Sequence, residues 1–322
     1  MRTLADALGD PLAAPLVDRL AIIGLGLIGS SIARAARRRR LAATIVAADA
    51  DPAVRARVAE LGLADEVAPT PEAAVAAADL VILCVPVGAC AGVAAAIGGH
   101  LKPGAIVSDV GSVMVAVIAA IAPHLPEGVR LIPAHPVAGT EQSGPDAGFE
   151  TLFLHRWCIV TPPDDADTQA LALVRVFWEA LGSNVAVMSA AHHDLVLAIT
   201  SHVPHLIAYN IVGTVAELEE ATRSEVLKYS AGGFRDFTRI AASDPTMWRD
   251  VFLHNKEAVL EMLGRFNEDL TALQRMIRRG DGEGLFDLFT RTRAIRRGIV
   301  AQGQETAAPD FGRRAAESPA KP

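Results

Sequence analysis

The chain is poor in aromatic residues, in cysteine and in excess positive charge. Aromatic residues make up 5% of its 322 residues, cysteine occurs three times, and 30 Lys and Arg stand against 37 Asp and Glu. The net charge of −7 disfavours a nucleic-acid-binding protein, because such proteins usually carry a basic face. An odd number of cysteines without a CxxC pair is neither a disulfide framework nor a zinc pattern, and it fits a reducing cytoplasm.

The sequence also lacks the marks of a secreted or membrane protein. Its N-terminus carries Asp6 and Asp10 and has no apolar core of a signal peptide. The run 80–99 is free of charge and long enough to span a membrane. However, Leu80–Val85 ends at Pro86 and has the pattern of a buried strand in a parallel sheet. We therefore expect a soluble, cytoplasmic protein with no membrane partner.

The apolar residues that are present follow an alternating pattern. They account for 51% of the chain, which is too many for a disordered protein. From residue 20 to about 188, short apolar runs alternate with alanine-rich helical stretches, and this predicts β-α units with a mainly parallel sheet. The predicted strands are Leu20–Ile23, Thr44–Ala47, Leu80–Val85, Ala105–Ser108, Val129–Ile132, Trp157–Thr161 and Val185–Met188.

From Ser189 onward the strand signals end and periodic helices take over. Ser189 can cap a helix that runs to about Ala221 with a kink at Pro204, and Asp244 with Pro245 opens another. The apolar stripe of this second helix comprises Trp248, Phe252, Val259, Leu263, Phe266, Leu270, Leu273 and Ile277. A helix this long usually buries its stripe on another subunit or on a long partner helix, so we predict a homodimer through the C-terminal part.

These patterns divide the chain into four parts. We expect an N-terminal extension (1–18), an α/β domain (19–188), an all-α domain (189–300) and a tail (301–322). The tail has no periodicity and is predicted to be disordered.

A glycine-rich turn joins the first predicted strand to a helix. Gly24 permits the tight turn, Gly26 lets the backbone approach a pyrophosphate, and Gly29 lets the helix pack close to the strand. The amides of Leu27 and Ile28 at the helix start, with the helix dipole, would hold the phosphate charge. Glycines also mark ordinary turns, but the strand–turn–helix context predicts a dinucleotide site.

The nucleotide is predicted to be NAD. Asp49 ends the second predicted strand, where a carboxylate accepts hydrogen bonds from the adenosine ribose and repels a 2′-phosphate. No arginine follows it immediately, and the alternative that Asp49 merely ends a strand stays open. Val85 and Pro86 follow a later strand and are expected to line the same site, because ligands bind beyond the carboxyl ends of parallel strands. Residues 19–188 thus form an NAD-binding Rossmann-type domain.

Further polar segments follow the strands and occupy the helical part. They are DVGS at 109–112, HPVAGTEQSG at 135–144, SHVPH at 201–205 and GGFRDFTRIAASDPTMW at 232–248. With these segments the chain, from about residue 20 to 300, resembles the prephenate and arogenate dehydrogenases of tyrosine biosynthesis, also called cyclohexadienyl dehydrogenases. The resemblance implies a Rossmann domain followed by an all-helical dimerisation domain. It also implies NAD-dependent oxidative decarboxylation of prephenate, arogenate or both, to 4-hydroxyphenylpyruvate, tyrosine or both.

The resemblance also assigns roles to single residues. His135 matches the catalytic histidine, whose neutral imidazole takes the substrate hydroxyl proton. Ser112 matches a serine that hydrogen-bonds this histidine and the substrate hydroxyl beside the cofactor. Arg239 matches the arginine that binds the substrate carboxylate, and His205 a residue that contacts the substrate side chain. The remaining expected site residues, which shape the entry or form a wall, are Glu141 and Trp248.

Several alternatives stay open. His202 and His205 could suggest a metal site, but no third ligand is evident, so we expect no metal and give His202 a structural hydrogen bond. Met114 stands where many relatives carry lysine, which leaves the hydrogen bonds around Ser112 undecided. Another β-hydroxyacid-type NAD dehydrogenase and a non-catalytic NAD-binding regulator are the alternative functions. The choice between prephenate and arogenate, and any feedback by tyrosine, is left open.

Overall fold

The computed structural model describes residues 14–140, 142–218, 225, 228–229 and 232–299. The predicted tail (301–322) and most of the predicted extension (1–18) lie outside these residues. The described chain groups into two compact units, the first ending at Met262 and the second beginning at Leu263. The boundary predicted near residue 188 remains a prediction.

A six-stranded parallel sheet with the strand order β3-β2-β1-β4-β5-β6 forms the first part of the fold. Its strands are β1 (Val17–Ile23), β2 (Ala42–Ala48), β3 (Glu66–Val67), β4 (Leu80–Leu83), β5 (Ile106–Asp109) and β6 (Arg130–Leu131). The helices between them are α1 (Leu27–Arg39), α2 (Pro52–Glu60), α3 (Pro71–Val75), α4 (Cys90–Gly98) and α5 (Met114–Ile121). The strand order reverses between β1 and β4, and such a reversal opens a ligand crevice at the carboxyl ends of the strands.

Both faces of this sheet are covered by apolar side chains. All four residues of β4 are buried, as expected for a central parallel strand. The uncharged run 80–99 folds as β4, a short turn and α4, in agreement with the prediction for that run. Alanines at 33, 35 and 36 are fully buried and let α1 lie close to the sheet.

A second, three-stranded sheet follows, where the sequence predicted a continuation of the first. In it β7 (Ala134–Pro136) pairs antiparallel with β8 (Trp157–Val160), which pairs parallel with β9 (Asn184–Val187) after helix α6 (Thr168–Ala180). The chain changes sheets at Pro133, because proline has no N–H with which to continue the ladder. The Pro133 carbonyl instead accepts a hydrogen bond from the Thr161 amide at 2.9 Å.

Helices make up the described chain from residue 190 onward. The Ser189 hydroxyl caps α7 (Ala190–Leu197), as predicted, and accepts from the His192 amide at 3.4 Å. A π-helical turn (Ala198–His202) precedes α8 (Val203–Ala216), so the irregularity expected at Pro204 lies just before it. Helix α8 ends at Ala216, short of the predicted helix end near Ala221, which itself falls outside the described residues.

The stretch Ala190–Ala216 has the length and composition of a membrane span. It carries the buried polar residues His193, Asp194 and His202, all hydrogen-bonded to other parts of the protein. Such a pattern is typical of a helix in a protein interior.

The single long helix predicted after Asp244 is wrong, because the structure has two. Asp244 does cap α10 (Pro245–His254), which follows α9 (Gly232–Thr238) and a 3-10 turn (Arg239–Ala242). The helix stops at Asn255, and α11 (Lys256–Arg279) begins next to it. The Asn255 side chain donates to the Asp194 carbonyl at 2.9 Å, a contact outside its own helix. Helix α12 (Gly282–Ile299) closes the described chain.

Candidate active site

The glycine turn after β1 has the shape that a dinucleotide requires. Gly24 has a φ of +93°, and a Cβ there would lie 2.5 Å from the Cys84 carbonyl oxygen at the end of β4. A Cβ on Gly29 would overlap the Gly24 carbonyl oxygen. Nothing described lies within 4 Å of a Cβ built on Gly26, so this residue faces open space. The residues therefore fit a pyrophosphate placed against Gly26.

The start of α1 and the turn after β4 border that space. Helix α1 begins at Leu27, so the first-turn amides, including that of Ile28, point to the same side without a capping side chain. Oriented amides at a helix start attract an anion. Val85 follows β4 and reaches within 3.1 Å of a Cβ built on Gly24, and Pro86 beside it is exposed.

Asp49 lies at the end of β2, next to the glycine turn. Its carboxylate accepts from the Leu25 amide at 2.8 Å and from the Asp51 amide at 3.0 Å. Arg55 of α2 donates to the Asp49 carbonyl at 2.7 Å. A shallow depression lies beside Asp49 and is lined by Leu25, Ala47, Ala48, Asp49, Arg55, Val58 and Val67. The structure thus brings Asp49 and the glycine turn together at one end of the crevice.

His135 lies in the middle of β7, where the sequence predicted a loop after a strand. Its side chain is buried, and Nδ1 lies 2.8 Å from Nε2 of His193. Nδ1 of His193 in turn lies 2.8 Å from Oδ1 of Asp194. Both of these partners come from α7, and sequence reasoning missed them.

Asp194 connects this histidine pair to the start of α5. It accepts from the backbone amides of Met114 at 2.8 Å and Val115 at 2.9 Å. A helix N-terminus stabilises a carboxylate in this position. Met114 buries its side chain and contributes its amide to this network, while Ser112 lies half-buried just before the helix.

Burial keeps His135 and His202 neutral. It lowers the pKa of His135 well below the ordinary 6.5, and the neighbouring His193 and His202 act in the same direction. Burial also lowers the pKa of His202 to about 4. A neutral imidazole can accept a proton from a substrate hydroxyl, whereas an imidazolium cannot.

A second group of predicted residues forms a wall. The His205 ring stacks on Trp248 with centroids 3.6 Å apart and an interplanar angle of 22°. Burial lowers the pKa of His205, and the nearby positive charge of Arg239 lowers it further. These three predicted residues therefore lie close together. Glu141, the remaining predicted residue, lies outside the described residues.

His202 links the two groups, since it lies near Trp248 and its charge acts on His135. Trp248 packs on Val113, the residue after Ser112, and its ring centroid lies 6.1 Å from that of His202. Asn255 Nδ2 lies 3.0 Å from His202 Nδ1. In the part of the chain that the structure describes, the indole nitrogen of Trp248 is buried without a hydrogen-bond partner. Buried polar atoms without a protein partner are uncommon, and a ligand or an ordered water is a frequent partner for them.

A buried carboxyl lies at the end of β5. Oδ2 of Asp109 accepts from the Gly111 amide at 2.7 Å, and the Ala134 backbone also hydrogen-bonds this carboxyl. Burial raises the pKa of Asp109 to about 7. Within the same part of the chain, no group of three or more His, Cys, Asp and Glu could hold a metal ion.

Three features together define an NAD-linked dehydrogenase with an added helical part. They are a Rossmann sheet with a pyrophosphate turn, an acidic residue at the adenosine end and a buried neutral histidine. The chain belongs to the prephenate dehydrogenase family. Residues 32–187 match the nucleotide-binding domain of prephenate dehydrogenase, and residues 189–291 match its dimerization domain.

Relatives and solved structures agree with this assignment. Cyclohexadienyl dehydrogenase of Zymomonas mobilis is 46% identical over 86% of this chain and 94% of its own. Prephenate dehydrogenase of Bacillus subtilis is 31% identical over 91% of this chain and 79% of its own. Prephenate dehydrogenase of Aquifex aeolicus, solved with hydroxyphenyl propionate and NAD+, shares 33% identity at a TM-score of 0.82, covering 88% of this chain and 98% of the other. Arogenate dehydrogenase of Synechocystis has a TM-score of 0.74 at 26% identity, covering 87% of this chain and 99% of the other.

These findings confirm the predicted family, the fold class and the cofactor. The chain is an NAD-linked oxidoreductase of the prephenate and arogenate dehydrogenase kind, with a parallel-sheet nucleotide-binding domain followed by a helical domain. The roles of the individual site residues remain predictions.

Proposed function

We propose that the enzyme converts prephenate, arogenate or both by oxidative decarboxylation, to 4-hydroxyphenylpyruvate, tyrosine or both. The observation that carries this proposal is the buried, neutral His135 in the same site as the Arg239–His205–Trp248 group. NAD supplies a hydride acceptor when bound. The substrate loses a hydride from the carbon that bears its hydroxyl, the bond to the ring carboxylate breaks, and that electron pair completes the aromatic ring.

In this proposal His135 both accepts and returns a proton. It takes the hydroxyl proton as the carbon is oxidised, and it gives the proton back to the phenol oxygen when carbon dioxide leaves. No net proton is released, so the reaction balances as one substrate and NAD+ going to product, carbon dioxide and NADH. General-base help of this kind is worth about 10²–10⁴-fold in rate.

The stacked pair and the arginine hold the substrate. The guanidinium of Arg239 suits a carboxylate because its planar fork can reach both oxygens. The flat His205–Trp248 pair offers a wall for a six-membered ring. Ser112 precedes Val113, which packs on Trp248, and its proposed role is to meet the ring hydroxyl. The protein needs no covalent chemistry, since aromatisation drives the step.

The helical part is proposed to form a homodimer. Residues 189–291 match a domain named for dimerization. The large apolar residues that α11 and α12 leave exposed are Leu260, Leu270, Ile277, Phe286, Phe289, Ile295 and Ile299. Exposed apolar surface of this kind marks an interaction site. Sedimentation should give a dimer, and a monomer at micromolar concentration would refute this part of the proposal.

The three free thiols fit a cytoplasmic enzyme.

The function is tested by NADH formation from prephenate and from arogenate. His135→Gln removes the proton acceptor, so kcat should fall about 10²–10⁴-fold, while exposed His100→Gln should leave it unchanged. Arg239→Ala removes a charge-assisted contact of roughly 1.5–3 kcal/mol and should raise KM about tenfold to a hundredfold. Arg235→Ala, an exposed residue on the neighbouring helix, is its control. NADH formation from neither compound would overturn the proposal.

A further inference from the structure

We propose that His193 and Asp194 are positioning residues that hold His135 in the tautomer a base needs and then share its positive charge. This inference rests on the proposed role of His135 as the base. It starts from three polar groups in series: His135 Nδ1 lies 2.8 Å from His193 Nε2, and His193 Nδ1 lies 2.8 Å from Asp194 Oδ1.

The direction of these hydrogen bonds follows from the groups at the far end. The Asp194 carboxylate receives the amides of Met114 and Val115, so its oxygens serve as acceptors on that side. An ionised carboxylate has no proton to donate. His193 must therefore donate from Nδ1, and a ring with a single proton carries it on that nitrogen.

The same reasoning passes on to His135. With its single proton on Nδ1, His193 accepts through Nε2, and the donor to it must be Nδ1–H of His135. The lone pair of His135 is then left on Nε2. Neutral histidine in water favours the opposite tautomer, so the protein has to impose this one. A base that accepts a proton from a substrate hydroxyl needs that free lone pair.

The hydrogen-bonded series His135–His193–Asp194 can also take up the positive charge that forms when His135 accepts the substrate proton. Proton uptake on Nε2 makes His135 an imidazolium in a buried site that disfavours the charged form. The Nδ1 proton of His135 can move along its hydrogen bond to Nε2 of His193. The positive charge then lies on His193, whose other nitrogen already donates to the Asp194 carboxylate. When the phenol oxygen takes its proton back from His135, both transfers reverse.

The tautomer can be observed without an activity assay. Protein labelled with ¹⁵N-histidine, examined through long-range ¹H–¹⁵N correlations, distinguishes a protonated Nδ1 from a protonated Nε2, and His135→Gln identifies the signals of that ring. We expect neutral His135 to carry its proton on Nδ1. A proton on Nε2 would overturn the inference. Failure of the proposed function would be a different result, since wild-type protein would then form no NADH from either substrate.

Asp194→Asn tests the same point by kinetics. An amide that donates toward His193 reverses the order of the series and places the His135 proton on Nε2. In serine proteases, an aspartate-to-asparagine change beside the catalytic histidine costs about 10⁴-fold in kcat through the wrong tautomer. We expect kcat to fall about 10²–10⁴-fold here, with KM and the NAD dissociation constant within about threefold of wild type. Asp167→Asn is the matched control, because Asp167 also accepts two helix-start amides but lies at α6.

His193→Gln supplies the rescue arm. Glutamine can accept from His135 through Oε1 and donate to Asp194 through Nε2, so it preserves the tautomer although it cannot take up the charge. We expect this variant to keep Nδ1–H on His135 and to be at least tenfold more active than Asp194→Asn. Equal losses in Asp194→Asn and Asp167→Asn, or His193→Gln no more active than Asp194→Asn, would refute the inference.

Discussion

Replacing Gly26 with alanine should abolish tight NAD binding and leave the fold intact. Gly26 has φ −72° and ψ −159°, an extended conformation that alanine can adopt. Nothing described lies within 4 Å of the added Cβ. A Gly→Ala change at a compatible position stabilises a protein by about 0.4–1 kcal/mol, through the unfolded chain. The melting temperature without nucleotide should therefore stay the same or rise slightly.

The effect on binding follows from the space that the methyl group occupies. The open side of Gly26 adjoins the first-turn amides of α1, where the pyrophosphate would be held. Moving the phosphate off one such amide loses a charge-assisted hydrogen bond of about 1.5–3 kcal/mol. The dissociation constant of NAD should then rise about tenfold to a hundredfold. Two lost contacts would multiply the effect.

Calorimetric titration with NAD and thermal unfolding without it separate the two effects. Gly92→Ala is the neutral control, because Gly92 is exposed in α4 and a Cβ there also meets nothing within 4 Å. Gly24→Ala is the opposite control and should destabilise the fold, given its φ of +93° and the Cys84 oxygen at 2.5 Å. Wild-type NAD affinity in Gly26→Ala, or a loss of stability like that of Gly24→Ala, would refute the reasoning.

Two further changes test the buried polar groups. The pKa of Asp109 is raised to about 7 in the fold, so its charged form destabilises the protein as the pH rises from about 4 through 7. The free energy of unfolding of Asp109→Asn, relative to wild type, should therefore be higher at pH 8 than at pH 4.5 in urea titrations; no change with pH would contradict this. Asn255→Leu leaves His202 Nδ1 unpaired, at about 1–3 kcal/mol. It also removes one of the two hydrogen bonds to the Asp194 carbonyl, which keeps the Ala198 amide, at about 0.5–1.5 kcal/mol. Urea unfolding should show a loss of about 1.5–4.5 kcal/mol, and a loss below about 0.5 kcal/mol would refute that expectation.

Features set by local chemistry were predictable from the sequence. The glycine turn, the caps at Ser189 and Asp244 and the central strands depend on residues within a few positions of each other. Each has a steric or hydrogen-bonding reason that does not involve the rest of the chain. The nucleotide end of the site was therefore visible before the fold was known.

Features that depend on residues far apart in the sequence were not predictable from it. The long helix predicted after Asp244 ends at Asn255, whose side chain bonds to His202 and to the Asp194 carbonyl, contacts that periodicity cannot show. The strand around His135 has three residues and pairs across a sheet that local patterns had not separated. His193 contacts His135 across 58 positions. The only hint was the run of two histidines and an aspartate at 192–194, beside the predicted helix start.

The chemistry of His135 thus depends on both halves of the chain. The strand that holds this histidine follows the nucleotide-binding sheet, whereas the order of hydrogen bonds around its ring is set by Asp194 at the start of the helical part. A neutral imidazole can be a base through either nitrogen, and burial alone does not choose between them. The choice comes from a carboxylate that can only accept, placed on the first amides of α5. A change that moves α7 against α5 should therefore lower kcat even where it leaves the NAD site and Arg239 untouched.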